Sequence, residues 1–319
     1  MSVIIKVFYT GVIIDMDEKE IIKRLINNDA LFNNIHIIKQ RFDIIPNDKD
    51  HIGAFIEFQD LQDLRNNFLN DLLDTIVDWV YSEEKTADLV SRYKKAGKTE
   101  SAAHAAVIRK AKEKFRKTDD VGKLLAQGQF GELLLFHFIQ RIMQAVPLLR
   151  KMKITTSSHH ERFGADAIHY KVEDGKNIII LGEAKTYTSK HSFKKAFEQS
   201  ITSILDTYQK HRKEINLYVH EDFLDELLNQ VAEEYLSNRL KNVEIHLVCI
   251  VTYNEDTVIN YSSQEEIQNQ IIRVIEDKYR SFDNNKIDLK LNPILKRITY
   301  ILFPVWELER LISDFQARL

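Results

Sequence analysis

The segments Gly164-Ala165-Asp166 and Leu181-Gly182-Glu183-Ala184-Lys185 place two acids and one amine at the ends of apolar, strand-like runs. The run 177–181 (Asn-Ile-Ile-Ile-Leu) lies just before the second acid and has the composition of a buried strand. Side chains of a strand alternate between its two faces, so Glu183 and Lys185 are expected to point the same way.

The residues between the two segments predict how the acids meet. Asp174-Gly175 is a strong hairpin signal between the strand-like segments 165–172 and 177–185. Asp166 begins the first strand of this hairpin and Glu183 ends the second. The pattern therefore predicts both acids at the same end of the sheet.

This combination suits chemistry on a phosphate. Phosphodiester hydrolysis uses a divalent ion that binds phosphate oxygens, activates water and offsets charge. Carboxylates are the ligands that Mg²⁺ prefers. Asp166 and Glu183 are the candidate metal ligands, and Lys185 is placed to orient or help deprotonate the attacking water. A surface ion pair is the alternative reading of Glu183 and Lys185.

A third acid, Glu132, lies inside the strongly apolar helical segment 124–143. Buried carboxylates are costly unless they are paired or bind a metal. Glu132 is therefore a candidate for the metal site. A structural role, such as a cap near a helix break at Gly131, is the alternative.

Composition limits the possible classes of protein. The chain has 319 residues, 44% of them hydrophobic, and a net charge of −3. It contains one cysteine, and this count excludes an intrachain disulfide framework and a cysteine-rich zinc site. No phosphate-binding glycine loop or dinucleotide fingerprint is present, so ATP hydrolysis would belong to a partner. No apolar run is long enough to cross a membrane and no signal peptide is visible, so we expect a soluble cytoplasmic protein without membrane contact.

The order of elements predicts an α/β fold with a mixed central sheet flanked by helices, preceded by an α+β unit. The boundary is placed at residue 117, giving an N-terminal unit (1–117) and a second domain (118–319). The predicted strands are 3–9, 35–38, 52–58, 151–156, 165–172, 177–185, 243–252 and 298–305. The predicted helices are 17–28, one capped by Asp60 and ending near 81, 124–143, 192–211, 222–240, 264–279 and 307–319.

Charge is segregated within the N-terminal unit. Residues 43–84 carry eleven acids and two bases, net −9, whereas residues 92–117 carry ten bases and two acids, net +8. The basic segment is either a surface for the phosphate backbone or a solvated helix face. We favour the N-terminal unit as the part that docks a partner.

Asp166 with Glu183-Ala184-Lys185 resembles the Asp…(Asp/Glu)-x-Lys signature of the PD-(D/E)XK nuclease superfamily. Glu132 resembles the additional metal-proximal glutamate of many members. Ala165 stands where the signature has proline, a change expected to matter little for the mechanism. More narrowly, the motifs Gln-Phe-Gly-Glu132, Phe-Gly-Ala-Asp-Ala-Ile-His169 and Leu-Gly-Glu-Ala-Lys185 resemble the HamA family, over about residues 120–310. HamA is the nuclease subunit of the two-component Hachiman anti-phage systems.

This resemblance implies a restriction-endonuclease-like core and a deoxyribonuclease that depends on Mg²⁺, with Mn²⁺ as the alternative ion. Asp166, Glu183 and Glu132 would hold the ion, and Lys185 would position the water. It also implies a bacterial defence role with DNA as substrate. The partner would be the helicase HamB, which would restrain cleavage until it meets foreign or damaged DNA.

Residues after the lysine are candidates for DNA contact. Lys190, Lys194 and Lys195 open the following helix, where they are able to approach phosphates beside the cleaved one. Gln199 lies where some superfamily members have the glutamine of a Gln-x-x-x-Tyr motif, but Ser203 occupies the tyrosine position.

Two other functions stay open at this point. A non-catalytic adaptor could use a nuclease fold to dock a helicase or bind DNA ends, although it would not need the complete acid, acid and lysine set. A self-sufficient restriction-type endonuclease could use the N-terminal unit to read sequence, and would cut at a fixed site.

Overall fold

The computed structural model describes residues 5–9, 12–16, 29–115, 127–149, 164–189, 193–219, 226–260 and 263–319. The strands are β1 (Ile5–Tyr9), β2 (Val12–Met16), β3 (Ile35–Gln40), β4 (His51–Ile56), β5 (Phe58–Gln59), β6 (Gln62–Asp63), β7 (Val146–Leu149), β8 (Ala167–Glu173), β9 (Lys176–Tyr187), β10 (Val243–Glu255) and β11 (Ile298–Trp306). The helices are α1 (Asp29–Phe32), α2 (Arg65–Asp74), α3 (Ile76–Val80), α4 (Glu83–Lys95), α5 (Glu100–Lys112), α6 (Gln127–Met143), α7 (Phe193–Tyr218), α8 (Glu226–Leu236), α9 (Gln264–Arg280) and α10 (Leu308–Arg318). Short 3₁₀ helices cover Asn284–Lys286 and Pro293–Arg297.

The centre of the fold is a seven-stranded sheet in the order β3-β4-β11-β10-β9-β8-β7. The neighbours from β4 to β9 are parallel, whereas β3, β8 and β7 join antiparallel. The predicted α/β class with a mixed central sheet flanked by helices is therefore confirmed. Two further strand pairs, β1-β2 and β5-β6, lie outside this sheet.

The central strands are apolar on both faces because helices cover both sides of the sheet. One face of β9 and β10, including Ile180 and Ile250, packs with residues of α6 such as Leu134. The other face, including Leu181 and Cys249, packs with residues of α7 such as Phe197, Ala196 and Ile204. Cys249, the one cysteine of the sequence, is thus a small buried core residue.

The strands of the predicted N-terminal unit belong to the same sheet as the later strands. β4 pairs in parallel with β11, with Ile52 opposite Ile301. A second contact joins the predicted N-terminal unit to the last helix. The ring of Phe115, which contacts Trp79, lies 5.7 Å from that of Phe315 in α10. The boundary at residue 117 stays a prediction, and the two predicted units share hydrogen-bonded strands.

Several predicted elements differ in the structure. Asp60 does not cap a helix, because it and Leu61 adopt left-handed backbone conformations in the turn between β5 and β6. The helix begins instead at Arg65 and is followed by the separate α3. β7 was not predicted, and the predicted strand 151–156 and helix 17–28 lie outside the described residues.

Two buried polar groups in the core have well-defined partners. The Nε2–H of His51 donates to the carbonyl of Pro46 at 2.8 Å, and its Nδ1 accepts from the backbone N–H of Tyr300 at 3.2 Å. Burial lowers the pKa of His51 to about 4. Glu255, at the end of β10, pairs with Lys278 of α9 at 3.1 Å. Neither group is among the predicted site residues, so both are useful probes of stability.

No helix in the described part of the chain combines the length and the apolar character needed to cross a membrane.

Candidate active site

The hairpin β8-β9 brings the two predicted acids together. Ala167 lies opposite Gly182, so Asp166, one residue earlier, lies opposite Glu183. The N–H of Asp166 donates to the carbonyl of Gly182 at 3.1 Å, and the N–H of Ala184 donates to Asp166 Oδ2 at 2.9 Å. These bonds hold the first acid against the end of the strand that carries the second.

Glu183 and Lys185 lie on the same face of β9, as predicted. The Lys185 Nζ donates to Glu183 Oε1 at 2.7 Å, and Glu183 is only 5% exposed. This burial does not fit the alternative of an ordinary surface ion pair. Burial alone would lower the pKa of Lys185, but the charges of Glu183 and Asp166 and the hydrogen bond to Glu183 raise it above its ordinary value. Lys185 is therefore an ammonium ion beside two acids at neutral pH.

Gly131 explains how Glu132 reaches this end of the sheet. A Cβ on Gly131 would lie 2.2 Å from the Thr186 Oγ1, so only glycine lets α6 approach β9 this closely. The helix continues through Gly131 from Gln127 to Met143, so the alternative of a cap at a helix break is wrong. The side chain of Gln127 adds a hydrogen bond of 2.5 Å to the carbonyl of Thr186.

A cleft of about 770 Å³ lies between the first turns of α6, the end of β9 and the middle of α7. All four predicted site residues line it: Glu132, Asp166, Glu183 and Lys185. The other lining residues are Gln127, Gly128, Gly164, Ala184, Thr186, Tyr187, Thr202, Ser203, Asp206 and Thr207. The structure thus collects the predicted residues, which come from three separate parts of the sequence, in one solvent-accessible space.

The donor set of this cleft suits a hard divalent cation, because three carboxylates from α6, β8 and β9 offer oxygen ligands. Within the described residues, however, no three His, Cys, Asp or Glu side chains are close enough together to form a metal cluster. In the arrangement observed, a Glu183 oxygen binds the Lys185 ammonium and an Asp166 oxygen binds the Ala184 N–H. The residue types fit the ion, and its binding would require the Glu183 and Asp166 oxygens to exchange these partners for the metal.

Sequence reasoning missed Glu214, a buried residue of α7. Its Oε2 accepts from the Ala165 N–H at 2.8 Å, directly before Asp166. Proline at position 165 would have no N–H to donate, so alanine here has a structural consequence that was not expected. The spacing of Thr202, Ser203 and Asp206 along one helix face is a local signal that α7 lines the cleft.

Those of the predicted DNA-contact residues that the structure describes do not line the cleft. Lys194 and Lys195 are exposed in the first turn of α7 and, with Gln199, are not part of the cleft lining. Gln199 accepts a hydrogen bond from the hydroxyl of Tyr187, which does line the cleft. Lys190 lies outside the described residues. Their contact with DNA stays a prediction.

The fold and site define an α/β protein with a charged cleft, lined by four acids and a lysine, at the end of a mixed sheet. Residues 18–319, nearly the whole chain, match the model of the HamA family. The chain belongs to the HamA family, which consists of anti-phage defence proteins of the Hachiman type. A search of curated proteins found no match to it.

Proposed function

We propose that this protein is a metal-dependent DNA nuclease, the effector of its defence system. The observation that carries the proposal is the position of Asp166 opposite Glu183, with Lys185 bonded to Glu183, inside one open cleft. This is the arrangement of the PD-(D/E)XK nucleases that the sequence resembles. The match to a defence family supplies a biological reason for DNA as the substrate.

Each side chain has a role in phosphodiester hydrolysis. A bound Mg²⁺ or Mn²⁺ supplies charge neutralisation and a more acidic water. The carboxylates of Asp166, Glu183 and Glu132 would hold that ion. The Lys185 ammonium donates hydrogen bonds that orient a water and offset the charge on the phosphate. The walls formed by α6 and α7 would position the DNA strand over these groups.

The experiment that tests this function is plasmid cleavage with Mg²⁺ or Mn²⁺, compared with EDTA. We expect Glu183→Gln and Lys185→Met to reduce cleavage about 100-fold or more, the scale of removing one transition-state contact. Lys176→Met and Glu244→Gln are matched controls, since this pair is 2.8 Å apart at the opposite end of the same strands. Wild-type rates in either site variant, with the protein folded, would refute the assignment.

A second candidate is a non-catalytic adaptor that binds DNA ends or the partner. The observation in its favour is that the described residues contain no preformed three-ligand metal cluster. Binding to DNA that persists without any cleavage, in Mg²⁺ and in Mn²⁺, would support it over the nuclease.

We also propose the helicase HamB as partner. The chain lacks a phosphate-binding glycine loop and belongs to a family of defence proteins. Co-purification of the chain with the helicase encoded beside it tests this step. Recovery of the chain without the helicase, when both are present at concentrations well above those in cells, would contradict it.

A further inference from the structure

The turn that delivers Asp166 to the cleft is held from two sides. On one side, β9 binds Asp166 through the Gly182 carbonyl and the Ala184 N–H. On the other side, Glu214 of α7 accepts from the Ala165 N–H at 2.8 Å. Asp166 and the residue before it are thus fixed by different elements of the fold.

Gly164 shows how closely Glu214 approaches this turn. Its φ of +140° is a conformation that residues with a Cβ rarely adopt. A Cβ built there would also lie 2.4 to 2.5 Å from three atoms of the Glu214 carboxyl group. The turn therefore has room for the carboxyl group only because residue 164 is glycine.

The position of Glu214 links this turn to the opposite wall of the cleft. Glu214 is 7% exposed and belongs to the same helix as Ser203 and Thr207, which line the cleft. Buried carboxyl groups are retained where hydrogen bonds compensate for the loss of water. A bond from α7 to the residue before Asp166 keeps that acid in register with Glu183.

We propose that Glu214 is a positioning residue, which holds the Gly164-Ala165 turn so that the carboxylate of Asp166 faces Glu183 and can bind a divalent cation. The structural part of the proposal stands on the turn geometry, and the catalytic part rests on the proposed nuclease function. Glu214 acts through Ala165 and has no contact with the substrate in this scheme.

The test compares Glu214→Ala, which removes the acceptor, with Glu214→Gln, which keeps an oxygen at the same reach. Glu214→Asp, which keeps the carboxyl group but is shorter by one methylene, replaces the alanine variant if that variant does not fold. Glu198→Gln, an exposed position on the same helix, is the control. Two quantities are measured on the full chain: hydrogen exchange of the Ala165 amide, and Mn²⁺ binding by calorimetry without DNA.

We expect Glu214→Ala to speed exchange of the Ala165 amide about five- to ten-fold, the effect of losing one hydrogen bond. The half-saturating Mn²⁺ concentration should rise by a similar factor. Glu214→Gln and Glu198→Gln should stay near wild type in both measurements, which a general loss of stability would not produce.

Unchanged exchange at Ala165 in Glu214→Ala would overturn the proposal, and so would equal losses in the alanine and glutamine variants. If the wild type neither binds Mn²⁺ nor cleaves DNA, the nuclease function fails, and the exchange rates alone decide whether Glu214 holds the turn.

Discussion

The contact between Gly131 of α6 and Thr186 of β9 predicts a destabilising substitution that a second substitution should reverse. In Gly131→Ala the new methyl group would lie 2.2 Å from the Thr186 Oγ1, well inside van der Waals contact. The next nearest atoms are the Cβ of Ala184 at 3.5 Å and the Cβ of Thr186 at 3.6 Å, both at ordinary distances. The conflict therefore involves a single oxygen atom.

The expected magnitude follows from two opposing effects. Overpacking a well-packed core costs about 1–3 kcal/mol, and threonine cannot easily rotate away because its χ1 is restricted. Alanine in place of glycine in a helix gains about 0.5–1 kcal/mol. We therefore expect Gly131→Ala to lower the free energy of unfolding by about 1–2 kcal/mol.

Thr186→Ala removes the conflicting oxygen, which is buried and has no hydrogen-bond partner in the described part of the chain. On its own this change should alter stability by less than about 1 kcal/mol. In combination with Gly131→Ala, it should restore the wild-type free energy of unfolding or exceed it by up to about 1 kcal/mol, because the helix gain remains.

The measurement is urea unfolding followed by circular dichroism for the wild type, the two single variants and the double variant. With an m-value of about 3 kcal/mol/M, the loss in Gly131→Ala is a midpoint shift of about 0.5 M. A wild-type midpoint in Gly131→Ala, or no recovery in the double variant, would refute the reasoning. Because Glu132 follows Gly131, DNA cleavage should fall in the single variant and recover in the double variant.

Three other predictions concern buried charge and metal. The pKa of His51 is about 4 in the fold and about 6.5 when unfolded, so the unfolded chain binds the extra proton. Its contribution is complete above pH 6.5 and falls by up to about 3 kcal/mol as the pH drops towards 4. His51→Leu should flatten this part of the stability curve in urea titrations at pH 7, 6 and 5, whereas the exposed His104→Gln should not. Lys278→Met leaves Glu255, with 1% of its side chain exposed, without its cation and should cost about 3 kcal/mol in the same assay. Lys210→Met breaks an exposed pair and should cost less than about 0.5 kcal/mol; similar losses in both lysine variants would contradict the burial argument. EDTA should abolish plasmid cleavage and excess Mg²⁺ should restore it, while cleavage that persists in EDTA would exclude a metal-dependent site.

The sequence predicted the parts of the site that depend on local order. The turn signal at Asp174-Gly175 and the alternation of side chains along a strand were sufficient to bring Asp166, Glu183 and Lys185 together. Glu132 was found because a charge within an apolar helix is unusual. Each of these signals lies within one hairpin or one helix.

The features that were missed depend on contacts between distant segments. Glu214 meets Ala165 across 49 residues, and nothing in its own helix distinguishes it from a solvated glutamate. The pairing of β4 with β11 joins residues near 52 with residues near 301, and no local pattern in either segment indicates it. Asp60 has the residue type of a helix cap, but the adjoining strands β5 and β6 impose a turn there.

The position of β11 has a consequence for the synthesis of this protein. This strand is made late, from residues 298–306, yet it lies between β10 and β4 in the middle of the sheet. During translation β4 is made more than 240 residues before its parallel neighbour, the separation between Ile52 and Ile301. The two strands can therefore pair only late in synthesis. Without β11, nothing in this strand order joins β3-β4 to β10-β9-β8-β7. An activity that needs the whole sheet would therefore be absent from chains that end before residue 298.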